Sequence, residues 1–174
     1  MVLVVDNFLH NIDEHIEESK SLEYKDYTDG EQVFADIAVC QDPISIAKIE
    51  AITGFKCQSI IPPFYRKYYK SKATPTYIHS DIYEGDLTCV VYLNKDQHHN
   101  GVAFWKHKET GLTRASKSNQ YNLVMQGKDE DKWELVEFVK TKQNTAVIFD
   151  AEMFHSRYPR IEWDLGGEDA RLIK

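Results

Sequence analysis

The chain opens on a compact apolar run, "VLVV" (Val2 to Val5), followed by "NIDEHIEESK" (Asn11 to Lys20), in which Ile12 and Ile16 lie four apart on one helical face. This pattern predicts a strand and then a helix. A second helix is predicted from Asp42 to Thr53. Asp42 can cap it, Pro43 takes the first helical position, Ile46, Ala47, Ile49 and Ala51 supply an apolar face, and Gly54 ends it. From Ser59 onward the period changes. Short apolar or aromatic runs, "SIIPPFYRKYY", "LTCVVYLN", "GVAFWKH", "WELVEFVK", "TAVIFD" and "RLIK", are separated by turn-forming residues and read as strands. "KDQHHNG" links two of them and ends in Asn100-Gly101, a favoured turn pair. "WELVEFV" alternates Trp133, Leu135, Glu137 and Val139 with Glu134, Val136 and Phe138, which predicts a strand partly covered on both faces. "MQGKDEDK" reads as an exposed turn.

Two helices ahead of a series of short strands predict a mainly β fold with flanking helices packed on one side of an antiparallel double sheet, a class that includes sandwiches and jelly rolls. A parallel α/β fold is disfavoured, because helices do not alternate with the later strands. The 174 residues contain no internal repeat, low-complexity tract or interdomain linker, and one domain spanning 1–174 is expected.

Composition sharpens this. An aromatic fraction of 12%, with ten Tyr and eight Phe, suits a β-rich core. A net charge of -7 argues against a general grip on nucleic-acid phosphates. The stretch "YRKYYKSK" (Tyr65 to Lys72) is locally basic and reads as a solvated rim unless the substrate is anionic. Cys40, Cys57 and Cys89 are odd in number and form no C-x-x-C pair, so neither a disulfide framework nor a thiolate zinc site is indicated. "MVLVVDNFLH" lacks a basic leader and a small-residue cleavage site, and no apolar run reaches the length of a membrane span. A soluble, cytoplasmic protein is expected.

The candidate chemistry lies in "YIHSDIYEGDLTCVVYLN" (Tyr77 to Asn94). In an extended segment His79 and Asp81 project to one side while Ser80 faces away. With seven histidines in the chain, one H-x-D is unspecific: His79 alone reads as a surface or core-satisfied histidine sooner than as a ligand, and Asp81 alone as a turn cap. Far downstream, "NTAVIFDAEMFHSRYP" carries an apolar strand, Thr145 to Phe149, and then His155 in a short loop. Two histidines and one carboxylate make the facial triad that holds non-haem Fe(II) and leaves the opposite face of the octahedron open.

In order and spacing the chain resembles the Fe(II)- and 2-oxoglutarate-dependent dioxygenases, especially their prolyl 4-hydroxylase-like branch. "VVDNFLHNIDEHI" resembles its strand-and-helix opening, "HSD" its H-x-D, "TCVVYLN" the following strand, "NGVAFWKHKETG" the next, "NTAVIFDAEMFHSRYP" the strand and loop bearing the second histidine, and "GEDARLIK" the anchor strand. Asn100-Gly101 stands where the family commonly has two glycines. The resemblance implies a double-stranded β-helix core in which His79, Asp81 and His155 ligate iron. It implies that Arg171 pairs with the far carboxylate of 2-oxoglutarate, with Arg157 and Arg160 as rival anchors. Tyr92 would support the same carboxylate, and Tyr69 would be a pocket tyrosine, with Tyr68 and Tyr65 as rivals. Strand parity places Thr88, Val90 and Tyr92 on one face, the pocket wall, and Cys89, Val91 and Leu93 on the other. The implied activity is hydroxylation of a substrate C–H bond with dioxygen, ascorbate serving as an auxiliary reductant. The substrate, peptide or small molecule, is not specified. The rival reading is a cupin-like metal-binding protein without redox turnover. His98, His99 and His107 match no ligand position, Trp105 reads as packing, and Trp163 as a pocket cover or a loop shield.

Overall fold

The computed structural model describes residues 1–29, 32–58, 61–69, 77–95, 100–159 and 170–174. Its elements run β1 (Val2–Asp6), α1 (Ile12–Ser21), β2 (Lys25–Asp29), β3 (Gln32–Val39), α2 (Pro43–Thr53), β4 (Phe64–Tyr69), β5 (Leu87–Tyr92), β6 (Gly101–His107), α3 (Gln120–Val124), β7 (Trp133–Lys140), β8 (Thr145–Asp150), β9 (His155–Tyr158) and β10 (Ala170–Ile173). Among the described residues the strands form a seven-stranded sheet, β1-β8-β5-β10-β4-β3-β2, and a three-stranded sheet, β7-β6-β9, with the strand pairs antiparallel throughout. The expected double-sheet jelly roll is the architecture observed.

Three apolar layers hold it together. Between the sheets, Tyr92, Val102, Phe104, Val147 and Phe149 pack with Val90, Val139 and Ile173. On the outer face of the large sheet, Tyr65, Val91, Leu93, Ala146 and Ile148 meet Ile12 and Ile16 of α1 and Ile49 of α2. Under the small sheet, Ile78, Ala103, Trp105, Leu123, Trp133 and Phe154 form a third cluster. Period-two alternation alone sorts β5 between two of these layers: Val90 and Tyr92 face the interior, whereas Cys89, Val91 and Leu93 face the helices. Each fully buried aliphatic or aromatic side chain contributes roughly 1.5–3 kcal/mol to this arrangement. No helix among the described residues is long and apolar enough to cross a membrane.

The sequence reading departs from this structure in four places. The β2–β3 hairpin falls between the two anticipated helices and adds two strands at one end of the large sheet, with β2 at its edge. On α2 the alanines expected to face the core, Ala47 and Ala51, are exposed, and Ile49 carries the packing. β7 is not covered on both faces: as an edge strand of the small sheet it exposes Glu134, Leu135, Val136 and Glu137 and buries Trp133. His155 opens a strand rather than sitting in a loop.

The helix layer is tied to the sheet by a buried charge. Lys174 Nζ lies 2.6 Å from Asp42 Oδ2, with both side chains about 5% exposed or less, and also reaches His15 Nδ1 at 3.0 Å and Tyr65 Oη at 3.2 Å. Asp42 Oδ1 accepts a 2.9 Å bond from Ser45 N, capping α2 as the sequence predicts. Burial alone would raise the Asp42 carboxyl pKa, but Lys174 and Ser45 outweigh it and hold it below the usual carboxylate range. Removing one partner strands a buried charge, so Asp42→Ala should destabilise the fold by roughly 3–5 kcal/mol in urea unfolding at pH 7. Because the folded pKa is depressed, this stabilisation is present above the unfolded value of about 4 and is lost as pH falls through the folded one. The gap between parent and variant should therefore narrow in unfolding curves taken below about pH 4, and a gap independent of pH would exclude the ion pair as its source.

Candidate metal centre

His79 and Asp81 lie on the extended stretch that leads into β5, and His155 is the first residue of β9. A closed pair of backbone bonds joins the two histidines: His79 N donates to His155 O at 3.0 Å, and His155 N to His79 O at 2.8 Å. Side chains of such a directly opposed antiparallel pair project to the same side, and the two imidazole centroids are 4.4 Å apart. Asp81 is set by its own backbone, its N–H bonding Ala151 O at 2.7 Å. Beneath this loop Gly127 is pressed against Ile78, where a Cβ would fall 2.0 Å from Ile78 O, and Ile78 N bonds Gly127 O at 2.9 Å.

The side chains are oriented as precisely as the backbone. His79 Nδ1 lies 3.0 Å from Tyr77 O and His155 Nδ1 lies 2.9 Å from Met153 O. A carbonyl can only accept, so each Nδ1 carries the proton and each Nε2 offers its lone pair to the centre. These two nitrogens stand 3.6 Å (His79) and 3.4 Å (His155) from the Asp81 carboxylate oxygens, and one ligand atom from each of the three residues lies within 4.8 Å of the others. Ligands bound about 2.1 Å from a shared ion on adjacent octahedral positions stand about 3 Å apart, so a small contraction completes the set. Thr88 Oγ1 donates to Asp81 Oδ2 at 2.7 Å, and Phe149 meets the His155 ring edge-on at 4.7 Å. Burial opposes ionisation of Asp81, yet His155, His79 and Thr88 together keep its carboxyl below the ordinary range. Burial, reinforced by His79, brings His155 down to about 4 and favours its neutral form. An anionic carboxylate and a neutral imidazole are the forms a metal ion requires.

Farther along the interior, Tyr92 and Arg171 are buried at 1% and 4% exposure, with the guanidinium carbon 5.2 Å from the Tyr92 ring centroid. Arg171 Nη2 reaches Gly101 O at 3.4 Å, while its Nε and Nη1 and the Tyr92 hydroxyl have no hydrogen-bond partner among the described residues. Gly101 is required at this spot, since a Cβ would fall 2.0 Å from Val139 O. Burial raises the Tyr92 hydroxyl pKa, and the nearby Arg171 charge offsets part of that rise. Buried donors without acceptors are costly, so the pair has room for an acceptor that the described residues do not supply.

The structure thus brings His79, Asp81, His155, Tyr92 and Arg171 to one interior. It does not bring Tyr69 there. Tyr68 is the register partner of Arg171 and shares its face, so Tyr69, next along β4, points to the other side, as does Tyr65 in the helix-facing layer. Arg157, two residues after His155 on β9, lies with its guanidinium carbon 5.6 Å from the Tyr68 ring centroid. Burial, then Arg171 and Arg66, lower its pKa to about 10. Arg66 is the cleft residue the sequence reading assigned to a solvated rim; its period-two relation to Tyr68 was the available signal. His107 is structural, bonding Thr110 and Gln126 and packing on Trp133, and Trp105 is buried with its Nε1 donating to Ser156 Oγ. His98, His99, Arg160 and Trp163 lie outside the described residues.

No protein-family model matches the chain, and no curated protein matches it. Solved structures do match its shape. The non-heme alpha ketoglutarate dependent epimerase SnoN from nogalamycin biosynthesis superposes with a TM-score of 0.53 at 12% identity, over 99% of this chain and 74% of that one. HygX from Streptomyces hygroscopicus, solved with nickel, 2-oxoglutarate and hygromycin B bound, gives 0.54 at 11% identity over 99% and 80%. SnoN in complex with Fe3+, alpha ketoglutarate and nogalamycin RO gives 0.50 at 11% identity over 99% and 76%. At these identities the likeness defines the fold: a double-stranded β-helix of the class seen in those 2-oxoglutarate-binding enzymes.

If His79, Asp81 and His155 form the site, Asp81→Ala should abolish Mn(II) binding measured by isothermal titration. Thr88→Val, which removes only the hydrogen bond to Asp81, should weaken it by roughly 10–100-fold. Equal Mn(II) affinity in parent and Asp81→Ala would exclude the site.

Proposed function

We propose that the protein is a non-haem Fe(II)- and 2-oxoglutarate-dependent oxygenase that acts on a substrate C–H bond, most simply as a hydroxylase. The observation that carries this reading is the pairing, within one interior, of a His-Asp-His set with the buried, incompletely bonded Arg171 and Tyr92. A metal-binding module without turnover has no use for the second half of that arrangement. The chemistry of each half fits its proposed occupant. Two imidazole lone pairs and one carboxylate suit Fe(II) and leave half of the coordination sphere open. A planar fork with two donors to spare suits a carboxylate, which it meets with charge-assisted bonds, and the Tyr92 hydroxyl adds another.

When bound, iron and 2-oxoglutarate supply activation of dioxygen coupled to decarboxylation of the cosubstrate to succinate and carbon dioxide. The residues of the chain have simpler duties. His79, Asp81 and His155 fix the metal on one side, and their bonds to Tyr77 O, Thr88 and Met153 O fix them in turn. Arg171 and Tyr92 set the distance and direction of the cosubstrate from the metal. Val90, Val147, Phe149 and Ile173 form a dry wall between the two ends, which strengthens the Arg171 interaction by excluding water.

Motif order in the sequence supports the prolyl 4-hydroxylase-like branch, with a peptide or small molecule as substrate. SnoN, named as an epimerase, supports a second reading in which a C–H centre is inverted rather than hydroxylated. Product analysis separates them, since hydroxylation adds one oxygen atom to the substrate and inversion leaves its mass unchanged.

Anaerobic addition of Fe(II) and 2-oxoglutarate should produce the visible charge-transfer absorption of the chelate. Arg171→Ala should weaken 2-oxoglutarate by roughly thirtyfold or more while leaving Fe(II) affinity within about threefold of the parent. Folded protein that binds Fe(II) without that absorption would overturn the reading, and a loss confined to Arg157→Ala would move the anchor to Arg157.

A further inference from the structure

We propose that Arg66 is a second anion-binding group, distinct from the Arg171 clamp, and that the primary substrate carries a negatively charged carboxylate or phosphate on an apolar or aromatic body. The substrate assignment rests on the oxygenase reading; the anion site itself does not.

The argument begins with strand register. Tyr68 pairs with Arg171 and Arg66 pairs with Ile173, so Arg66 occupies the same face of β4 as Tyr68 and turns toward the interior. Its guanidinium carbon lies 4.4 Å from the Tyr68 ring centroid and 5.8 Å from that of Phe34. Rings flank the cation where a carboxylate would normally stand. Arg66 Nε is buried without a hydrogen-bond partner, and Arg66 makes no ion pair among the described residues. Scarcity of acid does not explain this, because the chain holds 28 Asp and Glu against 21 Lys and Arg. The residue is half-buried, and a guanidinium whose buried Nε finds no acceptor among the described residues keeps a donor available to an incoming anion.

The position of Arg66 separates it from the cosubstrate clamp. β3, which carries Phe34, lies on the opposite side of β4 from β10, which carries Arg171. Contact with Phe34 therefore draws the Arg66 head away from Arg171. Arg157 lies on the same ring, its guanidinium carbon 5.6 Å from the Tyr68 centroid. An anion held at Arg171 leaves the Arg66 Nε unpartnered among the described residues, and a second anion would meet it. Phe34 and Tyr68 give that second ligand an aromatic-lined seat, where an apolar or aromatic body stacks while its charged end meets the Arg66 fork.

The test uses the full chain loaded with Mn(II) and 2-oxoglutarate, titrated calorimetrically with benzoate, phenyl phosphate and uncharged benzamide. At least one of the two anions should bind saturably, roughly tenfold or more tighter than benzamide, and the stronger of the two identifies the anionic group. Arg66→Gln should reduce that anion's affinity roughly tenfold or more while leaving 2-oxoglutarate within about threefold, and Arg66→Lys, which keeps the charge and loses the fork, should fall between. Benzamide binding as well as the anions, anions displacing 2-oxoglutarate, or Arg66→Gln weakening 2-oxoglutarate as much as Arg171→Ala would each overturn the proposal. Failure of the parent to bind 2-oxoglutarate counts against the oxygenase reading alone. The same titration on Mn(II)-loaded protein then decides the anion site, which is overturned if binding is indifferent to Arg66.

Discussion

The reciprocal backbone bonds between His79 and His155 are the constraint on which the site depends. They join the stretch ahead of the large sheet to the first residue of a strand in the small one, so the two sheets meet where their donor atoms are needed. A single bridge of this kind contributes little to stability, on the order of 1 kcal/mol per bond. Its importance is geometric. It fixes two imidazoles on one side of the chain, and the carbonyls of Tyr77 and Met153 then fix their tautomers. Gly127 supports the arrangement from below, because only a residue without a side chain lets the turn after α3 approach Ile78 so closely.

Charge is distributed in an opposite sense from the chain average. The protein carries a net charge of -7, yet its interior cleft gathers Arg66, Arg157 and Arg171 around Tyr68 and Tyr92. Guanidinium groups tolerate such crowding better than ammonium groups, because their charge is delocalised, weakly hydrated and able to lie on aromatic faces. A net acidic chain with guanidinium groups gathered in its interior concentrates its positive potential in the cleft.

Much of this was legible before any coordinates. The H-x-D pair, the late histidine and the parity of β5 depend on local periodicity, which the backbone obeys wherever one face of a strand is buried. Capping of α2 by Asp42 was legible for the same reason, since the chemistry of a helix start is local. The misses are non-local. Tyr69 and Tyr68 differ only in which face of β4 each occupies, and that is set by pairing with a strand from the far end of the chain. The alternation of β7 promised two covered faces, but coverage depends on its position at a sheet edge, which periodicity does not encode. The basic run around Arg66 reads as a rim, and the inward turn of its half-buried head is set by pairing with β3 and β10, which a local pattern does not encode.

Strand β10 is short, and Arg171 within it and Lys174 just after it place two buried cations on opposite sides of the chain. Lys174 points outward to Asp42 and fastens the helix layer, while Arg171 points inward and keeps donors in reserve. One charge is answered within the fold and the other is left open. One stretch, 170–174, therefore holds both a tie within the fold and a set of unpaired donors, and a change to either bears on the other. A substitution that firms the strand by neutralising Arg171 would gain stability by surrendering the reserved donors, and a substitution that loosens Lys174 would blur the aim of Arg171. Robustness added to this stretch is set against the donors it holds, so stabilising changes are least constrained on strands that carry neither charge.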